Sequence, residues 1–155
     1  MAEPSGARAA LGDHPHYVAA IGMAVGEMAL LENQLGRLLG TVLGVAPEIG
    51  QTIYLSSHTP FGRVATLDIT AAKALGSDPA RLDSVKSLTK RARELLQRQN
   101  DLPQRIWSTI GGKAQPSPDE IGDETAQLTA HAAQIRELAE EVRVAIDRAV
   151  GAAHR

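Results

Sequence analysis

The sequence predicts an all-α protein, a four- to five-helix bundle with long first and last helices. Three observations carry that prediction. No stretch alternates apolar and polar residues for long enough to build a sheet. Phe, Tyr and Trp together make up only 3% of the 155 residues, so the core must come from Leu, Ile, Val and Ala packed between helices. Helix signals also recur in order along the chain. Pro15, Pro47, Pro60, Pro79 and Pro118 each suit a first helical turn, where the missing N–H costs nothing, and Gly44 and Gly76 suit a helix end.

Residues 1–13 contain no apolar stretch of the kind a secretory signal needs and read as a disordered lead-in, leaving 14–155 as one helical domain. The first helix starts at Pro15, with Asp13 or His14 as cap. Its apolar residues Val18, Ile21, Val25, Met28, Leu31, Leu35, Leu38 and Val42 recur every three to four positions as a core-facing stripe. A helix held to Leu43 spans ~45 Å. Gly22, Gly26, Gly36 and Gly40 lie inside it, each costing ~1 kcal/mol of helix propensity relative to Ala. Their four-residue spacing offers a return, because it lets a neighbouring backbone approach closely, within the bundle or in a dimer.

A short helix follows from Pro47, with Ile49, Ile53 and Tyr54 or Leu55 as its apolar side. Ser57, His58 or Thr59 caps a third helix bearing Val64, Leu67, Ile69 and Leu75. Asp78-Pro79 repeats the start signal for a fourth, in which Leu82, Val85, Leu88, Ala92, Leu95 and Leu96 form one apolar stripe. Beyond Trp107, Gly111, Gly112 and two prolines require a turn, with room for a small hairpin around the glycine pair. Ser117 and Glu120 then make the S-x-x-E start of a capping box. Ile121, Leu128, Ile135, Val142 and Ala149 repeat every seven residues, with Ala132, Leu138 and Ile146 as a second line, so the last helix should cover 118–150 with an acidic outer face.

Composition narrows the function. With no Cys, disulfides, thiolate zinc sites and cysteine nucleophiles are excluded, and a reducing, cytoplasmic setting is the natural expectation. The longest apolar run, residues 17–26, is far too short to span a bilayer, so no membrane is expected. The five His residues show no ligand spacing on one helical face, and neither a phosphate-binding glycine loop nor G-x-S-x-G is present; no metal or cofactor is expected.

Charge is unevenly spread. Residues 81–116 carry eight Lys/Arg against three Asp/Glu, between acidic segments on both sides. The fourth helix concentrates this charge in Arg81, Lys86, Lys90, Arg91, Arg93 and Arg98. Two readings follow: a face for RNA or nucleotides, or pairing with the acidic helices of the same chain.

The basic helix leads through a polar turn to the only Trp, and residues 99–107 read Gln-Asn-Asp-Leu-Pro-Gln-Arg-Ile-Trp. That order resembles the R-N-x-x-x-H motif of HEPN-domain proteins, which in such relatives often reads R-N-D-L-x-H-x-x-W. RELLQ upstream and ALLENQLGRLL in the first helix are similar to the same group. The resemblance implies a helical bundle that forms a homodimer, and in many members a metal-independent ribonuclease. Here Gln99 stands where the family has Arg and Gln104 where it has His. Gln neither titrates near neutrality nor carries charge, so the cation on the phosphate and the proton-transfer group are both missing.

The expected function is therefore a non-catalytic HEPN-like binding or assembly module, homodimeric, with RNA or nucleotide association as a further role. Lys90, Arg91, Arg98, Asn100 and Arg105 are its candidate binding residues. Asn100 also suits a structural part, satisfying backbone groups where Pro103 removes an amide, and Trp107 suits a packing anchor under the turn. The alternative is a metal-independent endoribonuclease with a rearranged site drawn from Arg98, Arg105 and a His such as His58.

Overall fold

The computed structural model describes residues 11–111 and 117–153. They form an all-α bundle: α1 (Pro15–Leu43), α2 (Pro47–Leu55), α3 (Pro60–Ala74), α4 (Pro79–Asn100), the one-turn α5 (Leu102–Ile106), a π-helical turn (Trp107–Gly111) and α6 (Pro118–Ala153). Residues 1–10 of the expected lead-in and the hairpin position at Gly112 lie outside the described residues. Leu11, the first described position, already packs against apolar side chains of the domain.

Side-chain and backbone caps set the helix boundaries. Thr59 accepts from the Gly62 amide at 3.1 Å, and Asp78 accepts from the Arg81 amide at 3.1 Å. Ser117 and Glu120 close both halves of the capping box at 3.2 Å each. At the end of α1, Gly44 takes φ +69°, which lets its amide reach Thr41 O and the Val45 amide reach Gly40 O, satisfying two carbonyls that a helix end would otherwise leave open.

α1 and α6 run side by side in the same direction, tied at mid-length by Arg136 to Glu27 at 2.8 Å. α4 runs antiparallel to α6, and α3 covers α4. The main core joins the C-terminal half of α1 to α3, α4 and the C-terminal half of α6, around Leu31, Leu35, Leu39, Tyr54, Leu67 and Leu138. A smaller cluster joins Tyr17 and Ala20 to Leu102, Ile110, Ile121 and Leu128. α2 crosses the C-terminal half of α1 at close range. A Cβ on Gly50 would stand 2.2 Å from the Gly40 nitrogen, so backbone touches backbone there and no side chain fits.

The expected core stripe of α1 holds only from Met28 onward. Nearer the N-terminus Tyr17, Ala20 and Ala24 are buried, while Val18 and Val25 lie exposed. That half of the helix is apolar all round, so its rhythm did not say which face turns inward. Among the described residues no single helix is long and apolar enough to cross a membrane. The α1–α2 pair reaches that length only by turning through 116°.

Candidate functional site

The motif region sits where α4 gives way to α5. Pro103 has no amide hydrogen, so the α-helical ladder is interrupted, yet Asp101 keeps helical angles (φ −81°, ψ −9°) and its amide still reaches Gln97 O at 3.1 Å. The expected polar turn is thus a break within a nearly continuous helix. Side chains keep their helical phase across it.

That phase decides where the basic residues go. Arg91, Arg98 and Arg105 are seven apart and face α6, where Arg91 pairs with Glu141, Arg98 donates to Gln134 at 2.8 Å, and Arg105 donates to Glu124 and Gln127 at 2.9 Å each. Each step of seven along α4 is met by a step of seven back along α6, the signature of an antiparallel pair. Arg93 turns the other way and pairs with Asp68, which also accepts from the buried Thr89 hydroxyl. Much of the central basic charge is therefore matched inside the chain. Lys86 and Lys90 remain exposed without an ion pair among the described residues.

The three motif positions are not brought to one point. Gln99 is half-buried and meets His131 of α6, with Oε1 at 3.1 Å from Nε2. Asn100 is exposed and makes no side-chain hydrogen bond among the described residues, contrary to the structural part expected of it. Gln104 is exposed, and its carbonyl accepts from Ser108 Oγ at 2.8 Å.

His131 is the residue that sequence reasoning missed. It lies on α6 and is only 5% exposed. Burial, followed by the charges of Arg98 and Arg105, holds its pKa below the ordinary imidazole value, so the ring is neutral. With Gln99 Oε1 as acceptor, Nε2 carries the hydrogen, and Nδ1 is left as a buried acceptor without a partner. The signal in the sequence was its place three residues after Leu128 and four before Ile135, at the spacing of the core-facing side. His58, by contrast, is exposed on the turn before α3.

Two open grooves flank Gln99. The larger, about 490 Å³, is lined by Ile21, Val25, Leu102, Pro103, Ile106 and Trp107 among others, and among the described residues Gln99 is the one amide side chain in it. The smaller, about 380 Å³, lies between α1 and the start of α3 and includes Val25, Ala29, Phe61, Asn100 and Glu32. Glu32 is held there by Arg63 at 2.9 Å. Gln104 lines neither. Trp107, expected to anchor the turn from beneath, is instead 61% exposed at the rim of the larger groove. Helical phase explains this: Trp107 follows buried Leu102 by five residues, about 140° around the helix, so its ring turns outward while Ile110 takes the buried place. No group of three or more His, Asp or Glu suited to a metal ion occurs among the described residues.

No family model matches the chain, and neither the curated proteins nor the solved structures contain a significant match to it.

Proposed function

We propose that the chain is a non-catalytic, HEPN-like helical module that works by binding and assembly, as a homodimer and without a cofactor. The observation that supports this most is the character of the larger groove: apolar walls, an outward Trp107 and, among the described residues, one amide side chain, Gln99. Such a surface suits burial against a partner. Proton transfer needs a titrating group within reach of solvent-borne substrate. Gln99 and Gln104 do not titrate, and His131 is buried and neutral behind Gln99.

RNA or nucleotide association is a second reading with one observation in its favour. Lys86 and Lys90 stand one turn apart on the exposed side of α4. Two phosphate contacts would give weak binding with a shallow salt slope, on the order of −2 in log affinity against log salt. A ribonuclease site built from Arg98, Arg105 and His58 draws the least support, because Arg98 and Arg105 are occupied on α6.

Sedimentation of the purified chain at tens of micromolar, with a parallel incubation of labelled RNA in EDTA, tests the proposal. A dimer and intact RNA are expected. A monomer removes the assembly reading, and metal-independent cleavage that follows the protein through purification overturns the non-catalytic one.

A further inference from the structure

We infer that the N-terminal half of α1 is the surface through which two copies of this chain pair, Val18, Gly22, Val25 and Ala29 of one meeting the same stripe of the other about a two-fold axis. This rests on the assembly reading above and names its interface.

Four observations carry it. Between Tyr17 and Leu31 every exposed position is apolar or Gly: Val18, Ala19, Gly22, Met23, Val25, Gly26, Ala29 and Leu30. A surface helix normally turns charge to water, and the one charged residue in this span, Glu27, is half-buried and paired with Arg136. The spacing of Val18, Gly22, Val25 and Ala29 is four, three, four, which places them on one narrow line along the helix, as in a two-helix seam.

The glycines supply the second argument. Gly36 and Gly40 are explained inside the chain, since a Cβ on either would press on α2 at 3.0 Å. Among the described residues, a Cβ on Gly22 or Gly26 would meet nothing within 4 Å. The intramolecular fold gives these two no reason to be Gly, although each weakens the helix. Close approach of a second helix over Gly22 supplies one.

Continuity is the third. Val25 (51% exposed), Phe61 (38%) and Trp107 (61%) adjoin across the two grooves, and Val18 (42%) lies on the same line of the helix as Val25, so the seam and the groove walls make one continuous apolar face of the kind a protein partner covers. Fourth, an uncharged stripe presents nothing that repels itself. Under a two-fold axis its central Gly22 meets its own image and flanking Val18 and Val25 fill the sides, so one surface furnishes both halves of the contact.

The test uses the full chain, with sedimentation equilibrium for the dissociation constant and the emission of Trp107, the only Trp, as the local probe. On dilution the parent should pass from dimer to monomer while its emission moves to longer wavelength. Val25→Glu and Gly22→Leu both alter exposed positions, so far-UV circular dichroism should show the helical fold retained in each. Each should weaken dimerisation at least tenfold. Gly22→Leu is the sharper variant, because it adds apolar surface and would strengthen any association not requiring close approach of the backbones. If the parent dimerises and neither variant changes the dissociation constant, the seam is wrong and the assembly reading stands. If the parent is monomeric at tens of micromolar, the assembly reading itself fails. A monomeric parent that floats with phosphatidylcholine vesicles would give the apolar face to a lipid surface instead of a second copy.

Discussion

The two halves of α1 share a pair of glycines at four-residue spacing and have opposite fates. From Met28 to Val42 the helix is wrapped by α2, α3, α4 and α6, and its Gly residues at 36 and 40 are filled by the backbone of α2. Among the described residues, Pro15 to Gly26 is covered on one side only, by Tyr17 and Ala20 packing onto Leu102, Ile121 and Leu128, and a Cβ on Gly22 or Gly26 would meet nothing. A glycine-spaced apolar helix is thus a device for close packing; the same chain supplies the partner of the second half, and the proposed second copy would supply that of the first. The comparison is sharpest where identical residue types should respond to mutation with opposite sign.

The largest effect is expected at Gly50→Ala. Its new methyl would collide with Gly40 backbone that cannot rotate away, so α2 must lift from α1, costing about 3 kcal/mol. For a chain of this size thermal unfolding should fall by roughly 6–12 °C. An unchanged melting temperature would mean that the α1–α2 crossing is looser than described.

Next in size is a pH effect at the border between the two halves, where His131 sits between α6 and α4. Its folded pKa lies below the unfolded value, so between the two the unfolded chain binds more protons and stability falls as pH drops below about 6.5. A single group can contribute at most about 1.4 kcal/mol per pH unit to that loss. In denaturant titrations from pH 7 to pH 5, His131→Leu should lose stability less steeply than the parent. Equal slopes would assign the loss to other groups.

Gly26→Ala carries the opposite sign from Gly50→Ala. With nothing near the added methyl, the helix should gain up to about 1 kcal/mol in urea unfolding at low protein concentration. Destabilisation would show an unrecognised contact within the chain. Smallest is Tyr54→Phe in the packed half. The Tyr54 hydroxyl is buried without a hydrogen-bond partner, and burial followed by nearby Glu32 keeps it protonated far above the ordinary range. Removing it should leave stability within about 0.5 kcal/mol or raise it slightly, whereas a loss of 1–3 kcal/mol would require a hidden partner.

The same contrast explains what could be read from the sequence. Helix boundaries were legible because Thr59, Asp78, Ser117 and Gly44 each act through their own side chain or backbone freedom, within a few residues. The phase of α6 was legible because Ile121, Leu128, Ile135 and Val142 stand out against a charged face. The phase of early α1 was not, since a helix apolar on every side carries no contrast to orient it. Trp107 escaped for another reason: the polar stretch expected to end the helix is itself helical, and its phase carries Trp107 about 140° from the buried Leu102 side. The pairing of Gln99 with His131 depends on two residues 32 positions apart, which only the antiparallel register of α4 and α6 brings together. That register also turns Arg91, Arg98 and Arg105 toward α6 as partners, the internal pairing that the sequence favoured over a nucleic-acid face.

The most direct test of the difference between the two halves of α1 is amide hydrogen exchange followed by mass spectrometry at low and high protein concentration. The account predicts that peptides covering residues 17–31 and 102–111 exchange more slowly as concentration rises, while those covering 35–42 and 135–142 keep the same protection throughout. Exchange in residues 17–31 that does not change across a concentration range over which the chain dimerises would contradict it, and would leave the bare half of α1 without a partner of its own kind.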